Sequence, residues 1–122
     1  MNVIEYRFWN KDDMIMVSDR SPMNEESINK SFLEMQKHYI AMRYINVNDK
    51  NGKKIFQKDI CKYYNKVDKD GIGIIEDDYI KWISGTIAKT NLMTPLYYLK
   101  CGTELEVIGN VYENTNLIEA SK

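Results

Sequence analysis

The chain has little of the side-chain chemistry from which most active sites are built. One histidine, His38, and two cysteines, Cys61 and Cys101, occur in 122 residues. A lone histidine at the end of an expected helix reads as a surface residue facing the negative end of the helix dipole, not as a catalyst. Met1 to Arg7 is interrupted by Glu5 and Arg7, so it has no apolar core of a secretory leader, and none is expected. The two cysteines sit in apolar-rich runs and are therefore expected as reduced, buried, structural thiols of a cytoplasm. No apolar stretch approaches the roughly 20 residues of a membrane-spanning helix, so no membrane role is expected. Charge of one sign is also missing. Seventeen basic and eighteen acidic residues are interspersed and leave a net charge of −1. The broad basic face of a duplex nucleic-acid binder is therefore not expected. Absent too are Cys-x-x-Cys, His-Glu-x-x-His, Gly-x-Ser-x-Gly and phosphate-loop patterns. Gly71-Ile72-Gly73 lacks the third glycine and following helix of a dinucleotide site.

What is present describes one β-rich domain over residues 1–122, long enough to bury a core without disulfides or metal. Residues 3–9 are dense in β-formers, Asn10 to Asp13 is turn chemistry, and Met14 to Val17 returns as the second arm of a hairpin. A helix is expected at about 25–38. Ser21 or Asn24 can cap it, and Ile28, Phe32, Met35 and Tyr39 form one apolar stripe. Tyr39 to Val47 is strand-like and ends in the turn Asn48-Asp49-Lys50-Asn51-Gly52, where Asn-Gly tolerates positive φ at both positions. Lys53 to Tyr64 and Ile72 to Ile83 are β-rich runs, and Asp68 to Gly71 punctuates between them. Ser84 to Pro95 reads as loop and Leu96 to Cys101 as strand. Glu104 to Tyr112 alternates, with Leu105, Val107 and Val111 on one face, and the last residues should fray. Short strands between Gly/Asn/Asp turns predict a meandering sheet or partly open barrel.

The most specific chemical signal is Asp68-Lys69-Asp70-Gly71-Ile72-Gly73-Ile74-Ile75, which resembles the start of an EF-hand calcium loop. Ile72 and Tyr79 then stand where the fifth and twelfth positions require oxygen ligands, and no second loop pairs with it. A turn between strands accounts for the same residues, and degenerate calcium binding at 68–79 is kept as an alternative. The carboxylate pairs Asp12-Asp13 and Glu76-Asp77-Asp78 read as solvated turns with no acid–base role. Tyr63, Tyr64, Tyr97 and Tyr98 offer rings for stacking single-stranded nucleic acid or for a protein interface. The plainer alternative sends one of each pair into the core. No catalytic, cofactor or metal residue is assigned, and no cofactor is expected.

Three blocks share an order and placement that resemble the YopX family of phage and prophage proteins. They are Tyr6-Arg7-Phe8-Trp9 with Met14, Asp49-Lys50-Asn51-Gly52-Lys53-Lys54-Ile55-Phe56 through Asp59-Ile60, and Glu106-Val107-Ile108-Gly109-Asn110-Val111-Tyr112-Glu113-Asn114. The sequence departs from the family's pattern at Ile45-Asn46-Val47, usually Thr-Gly-Leu, and at Gln57-Lys58-Asp59, usually Glu-Gly-Asp. The resemblance implies a mainly β fold, a mixed or antiparallel sheet curled into an open half-barrel, and expression in a bacterial cytoplasm. It implies no activity. The expectation is thus a non-enzymatic phage accessory protein acting through protein contacts, with host or phage protein or as a homo-oligomer. Single-stranded nucleic-acid binding on the curved sheet is the alternative.

Overall fold

A computed structural model describes residues 5–18, 38–64, 70–85, 88, 93–96, 99 and 104–120. The chain is mainly β. Its strands are β1 (Tyr6–Asn10), β2 (Ile15–Ser18), β3 (Tyr39–Asn48), β4 (Lys54–Phe56), β5 (Asp59–Tyr64), β6 (Asp70–Ile75), β7 (Tyr79–Ser84), β8 (Met93–Pro95) and β9 (Leu105–Asn110), followed by a short helix α1 (Thr115–Ala120). They form two sheets, ordered β2-β1-β3-β4 and β8-β7-β6-β5-β9. The first curls into a half-barrel. Every pairing among the described strands is antiparallel. The mainly β fold and the half-barrel agree with the sequence. The division into two sheets is detail that hydrophobic alternation does not carry.

The core lies against the five-stranded sheet. Ile55 of β4 reaches across from the other sheet to join Cys61, Tyr63, Ile75, Ile80, Trp82, Leu96, Leu99 and Leu105. Burying each such aliphatic or aromatic side chain contributes about 1.5–3 kcal/mol before entropy is counted. Tyr63 packs on Trp82 with ring centroids 5.8 Å apart, and Trp82 donates its indole N–H to Thr94 Oγ1 at 2.7 Å. The polar end of a buried tryptophan is thereby satisfied. Gly73 lies under Ile80, where an added Cβ would come within 2.5 Å of the Ile80 side chain. Close approach of β6 and β7, at a register shift between Ile72 and Gly73, explains this glycine.

Several local expectations are corrected. Lys53 to Tyr64 is two strands, broken at Gln57-Lys58, with Lys58 at φ 70°. Met93–Pro95 is a strand where loop was expected. Leu96 and Leu99 sit in tight helical turns instead of a strand, still with buried side chains. Thr115–Ala120 forms the short helix α1, which the sequence reading does not contain, and residues 121–122 lie outside the described residues. In the turn after β3 only Gly52 takes positive φ, 82°, because Asp49 and not an Asn-Gly pair organises the loop. The helix expected at 25–38 lies outside the described residues, apart from His38.

Candidate functional site

Two buried aspartates join the sheets. Asp49, at the end of β3, accepts the backbone N–H groups of Asn51 at 2.8 Å and Lys53 at 2.9 Å on one oxygen and Val107 at 2.9 Å on the other. One carboxylate thus closes the β3–β4 turn and holds it to β9 of the opposite sheet. The Lys50 N–H reinforces that contact by donating to the Leu105 carbonyl at 2.9 Å. Burial pushes the Asp49 carboxyl upward, but the Val107, Lys53 and Asn51 N–H groups outweigh it and hold it below the usual carboxylate range.

Asp59, first residue of β5, performs the reciprocal function. It is 1% exposed and accepts the Phe56 N–H at 2.8 Å, closing the turn between β4 and β5. Its other oxygen meets Arg7 Nη2 of β1 at 2.6 Å. Arg7 also donates to the Gln57 carbonyl at 3.3 Å, and its guanidinium lies over the Phe56 ring at 4.9 Å. Burial pushes the Asp59 carboxyl above its ordinary range, and the Arg7 charge with the Phe56 N–H offsets this only in part.

A cleft of about 380 Å³ opens at this seam, lined by Arg7, Lys53, Asp59, Val107 to Asn110, Glu113 and Asn114. Its far wall is the turn after β9. The Asn110 side-chain oxygen accepts the N–H groups of Tyr112 at 3.0 Å and Glu113 at 2.9 Å, and its amide donates to Glu113 Oε1 at 2.9 Å. Asn114 returns its own side-chain oxygen to the Asn110 N–H at 3.0 Å. Gly109 is required there, since a Cβ would come within 2.5 Å of Asn114 Oδ1. The turn after β1 repeats the device. Asn10 Oδ1 accepts the Asp12 and Asp13 N–H groups at 3.0 Å, and its amide donates to Asp13 at 3.1 Å. The two turns are neighbours, because Trp9 stacks on Tyr112 with centroids 5.6 Å apart.

The residues singled out by sequence are scattered. Asp68 lies outside the described residues. Asp70 opens β6 and pairs with Tyr64 of β5, while Tyr79 opens β7. Residues 60–64 and 79–83 are strands, so the helix–loop–helix that an EF-hand at 68–79 requires is replaced by β-hairpins, and that alternative is withdrawn. Tyr63 is buried against Trp82 and presents no free ring, whereas Tyr97, Tyr98 and the Tyr64 side chain lie outside the described residues. His38 pairs with Asp12 at the surface. Glu76 pairs with Lys58 at 2.5 Å, and Asp77 with Arg43. Cys61 is a free, fully buried thiol pushed well up by burial and by the Asp59 and Asp49 charges, as an inert structural cysteine should be; Cys101 lies outside the described residues. Arg7, Lys53, Asp59, Asn110 and Asn114 were not identified from chemistry. The available signal was the twin Asn-x-x-Asp and Asn-x-x-Glu after β1 and β9.

Comparison with known proteins gives three findings. A family model described as YopX protein matches residues 5–119. A crystal structure of protein EF1440 from Enterococcus faecalis aligns over 97% of this chain and 99% of that one, with a TM-score of 0.58 and 18% identity. That likeness is one of fold. No curated protein matches.

Proposed function

This chain belongs to the YopX family, and on that premise we propose that it is a non-enzymatic accessory protein of phage or prophage, acting in the bacterial cytoplasm through protein contacts that include its own self-association. The observation carrying this reading is the state of the sheet edges. In the described strand order, β2 ends one sheet and β8 the other. Each exposes a large apolar side chain: Ile15 is 51% exposed and Met93 57%, with Met14 beside β2 at 64%. Edge strands that carry apolar side chains are templates for pairing with another chain. The reading is further supported by the commitment of Asp49 and Asp59 to backbone and Arg7 contacts. Both Asp49 oxygens accept backbone N–H groups, and Asp59 spends Oδ2 on the Phe56 N–H and holds Oδ1, buried, against the Arg7 charge.

Sedimentation velocity over a concentration series tests the proposal. The expected result is a reversible dimer that Ile15→Lys or Met93→Lys returns to monomer, with unchanged near-ultraviolet circular dichroism. A wild-type monomer at every concentration overturns self-association. Gel shift at low salt with a single-stranded oligonucleotide should show nothing, since Tyr63 is in the core; a shift would favour the nucleic-acid alternative.

A further inference from the structure

We propose that the cleft at the seam of the two sheets binds a compact oxyanion, a phosphate or a carboxylate, between Arg7 and Lys53, with the Asn114 amide as a third donor. The argument is a census of hydrogen-bonding capacity in the lining. The side-chain amide acceptors are largely spent. Asp59 Oδ2 takes the Phe56 N–H, while Oδ1 has the Arg7 charge beside it at 2.6 Å but accepts no hydrogen bond among the described residues. The Asn110 oxygen holds two N–H groups, and the Asn114 oxygen holds one. The donors are in surplus. Arg7 commits only Nη2, to Asp59 and Gln57, which leaves the Nη1 edge of its fork. Lys53 has no carboxylate within ion-pairing distance among the described residues, although its N–H is anchored on Asp49. The Asn114 amide nitrogen makes no bond among them either.

A guest that completes this lining must bring acceptors, and Lys53, the lining cation with no carboxylate within ion-pairing distance among the described residues while Arg7 is paired with Asp59, favours a negative one. Arg7 is set for the task. Asp59 fixes its orientation and Phe56 covers one face, so the remaining edge of the guanidinium is held in place before a ligand arrives. Glu113 is the opposing influence. It stands at the rim with only Oε1 occupied, by the Asn110 amide, and repels an incoming anion. Glu113→Gln should therefore tighten binding, a result not expected if Glu113 itself were the ligand-gripping group for a cation. The proposal is independent of the edge contacts above, since none of Met14, Ile15 or Met93 lines the cleft.

The test is a titration of the full chain followed by amide NMR, with sodium phosphate and sodium acetate in separate arms and sodium chloride at matched ionic strength as the reference. Saturable shifts at residues 107–114 and at Lys53, in either arm but not with chloride, are expected. Whichever arm produces them identifies the class. Lys53→Met, a change at an exposed side chain, should weaken the apparent affinity about tenfold, the equivalent of one charge-assisted hydrogen bond. Both arms silent, or affinity unchanged in Lys53→Met, overturns the site.

Discussion

Asp49 and Asp59 are carboxylates of the same seam, yet burial leads to opposite outcomes. Asp49 receives three backbone N–H groups and titrates below its usual value, whereas Asp59 receives one N–H and a guanidinium and titrates above it. Proton linkage then fixes the sign of each contribution to stability. Asp59, with its native value raised above 3.8, contributes stability that is fully present below that value and lost as pH rises through the raised one. Asp49, with its native value lowered from 3.8, contributes stability that is present above it and lost as pH falls through the lowered one. Asp59→Asn removes the first contribution and keeps an acceptor for the Phe56 N–H. The variant should therefore gain on the wild type as pH rises from below 3.8 toward neutrality. Urea unfolding across that range measures the difference, and a wild type that gained on the variant instead would show that the Arg7 pairing outweighs desolvation.

Among the elements, the turns after β1 and β9 are the informative pair. Each uses an asparagine at the strand end to collect the N–H groups two and three residues on, and each ties its amide to an acidic side chain. They differ in load. Asn110 is also bound back by Asn114 and lies beside Lys58, whose carbonyl takes the Val111 N–H. Asn110→Ala should cost about 1–3 kcal/mol, because it strands partly buried N–H groups. Asn10→Ala, on a turn whose next residues are exposed, should cost less; thermal unfolding of the two variants ranks them. The strand interiors and most turns were legible because alternation and Asn/Asp/Gly clusters are local signals. The break between β4 and β5 was not, because Gln57-Lys58 contains no turn-forming residue and is closed from outside by Asp59. Positive φ occurs at Asn46, 63°, and at Lys58, 70°, the two positions where the resemblance drawn from the sequence places glycine. These departures therefore keep the backbone shape while giving up glycine's freedom. The helix α1 was missed because six residues without a charged cap leave no periodic pattern to read.

Over the whole molecule the cleft exists only because two sheets meet, which is why no stretch of sequence announced it. Arg7 comes from β1 and Asp59 from β5, and nothing in either neighbourhood names the other as its partner. Their meeting also separates two explanations for the pair. A buried ion pair is often no better for stability than an uncharged replacement, but removing one partner leaves a costly lone charge. Arg7→Met strands Asp59 and should destabilise by about 3–5 kcal/mol near neutral pH. The loss should shrink in acid, where Asp59 takes up a proton and its raised value makes that easy. Combining Arg7→Met with Asp59→Asn removes both charges and keeps the acceptor for Phe56. The double variant should recover most of the lost stability, and denaturant unfolding of the three variants gives the coupling directly. If it folds as well as the wild type but shows no anion-induced shifts at residues 107–114, the pair is kept for what it holds in the cleft. If it recovers nothing, the guanidinium is needed to hold the sheets together, and its stacking on Phe56 is the contact to examine next.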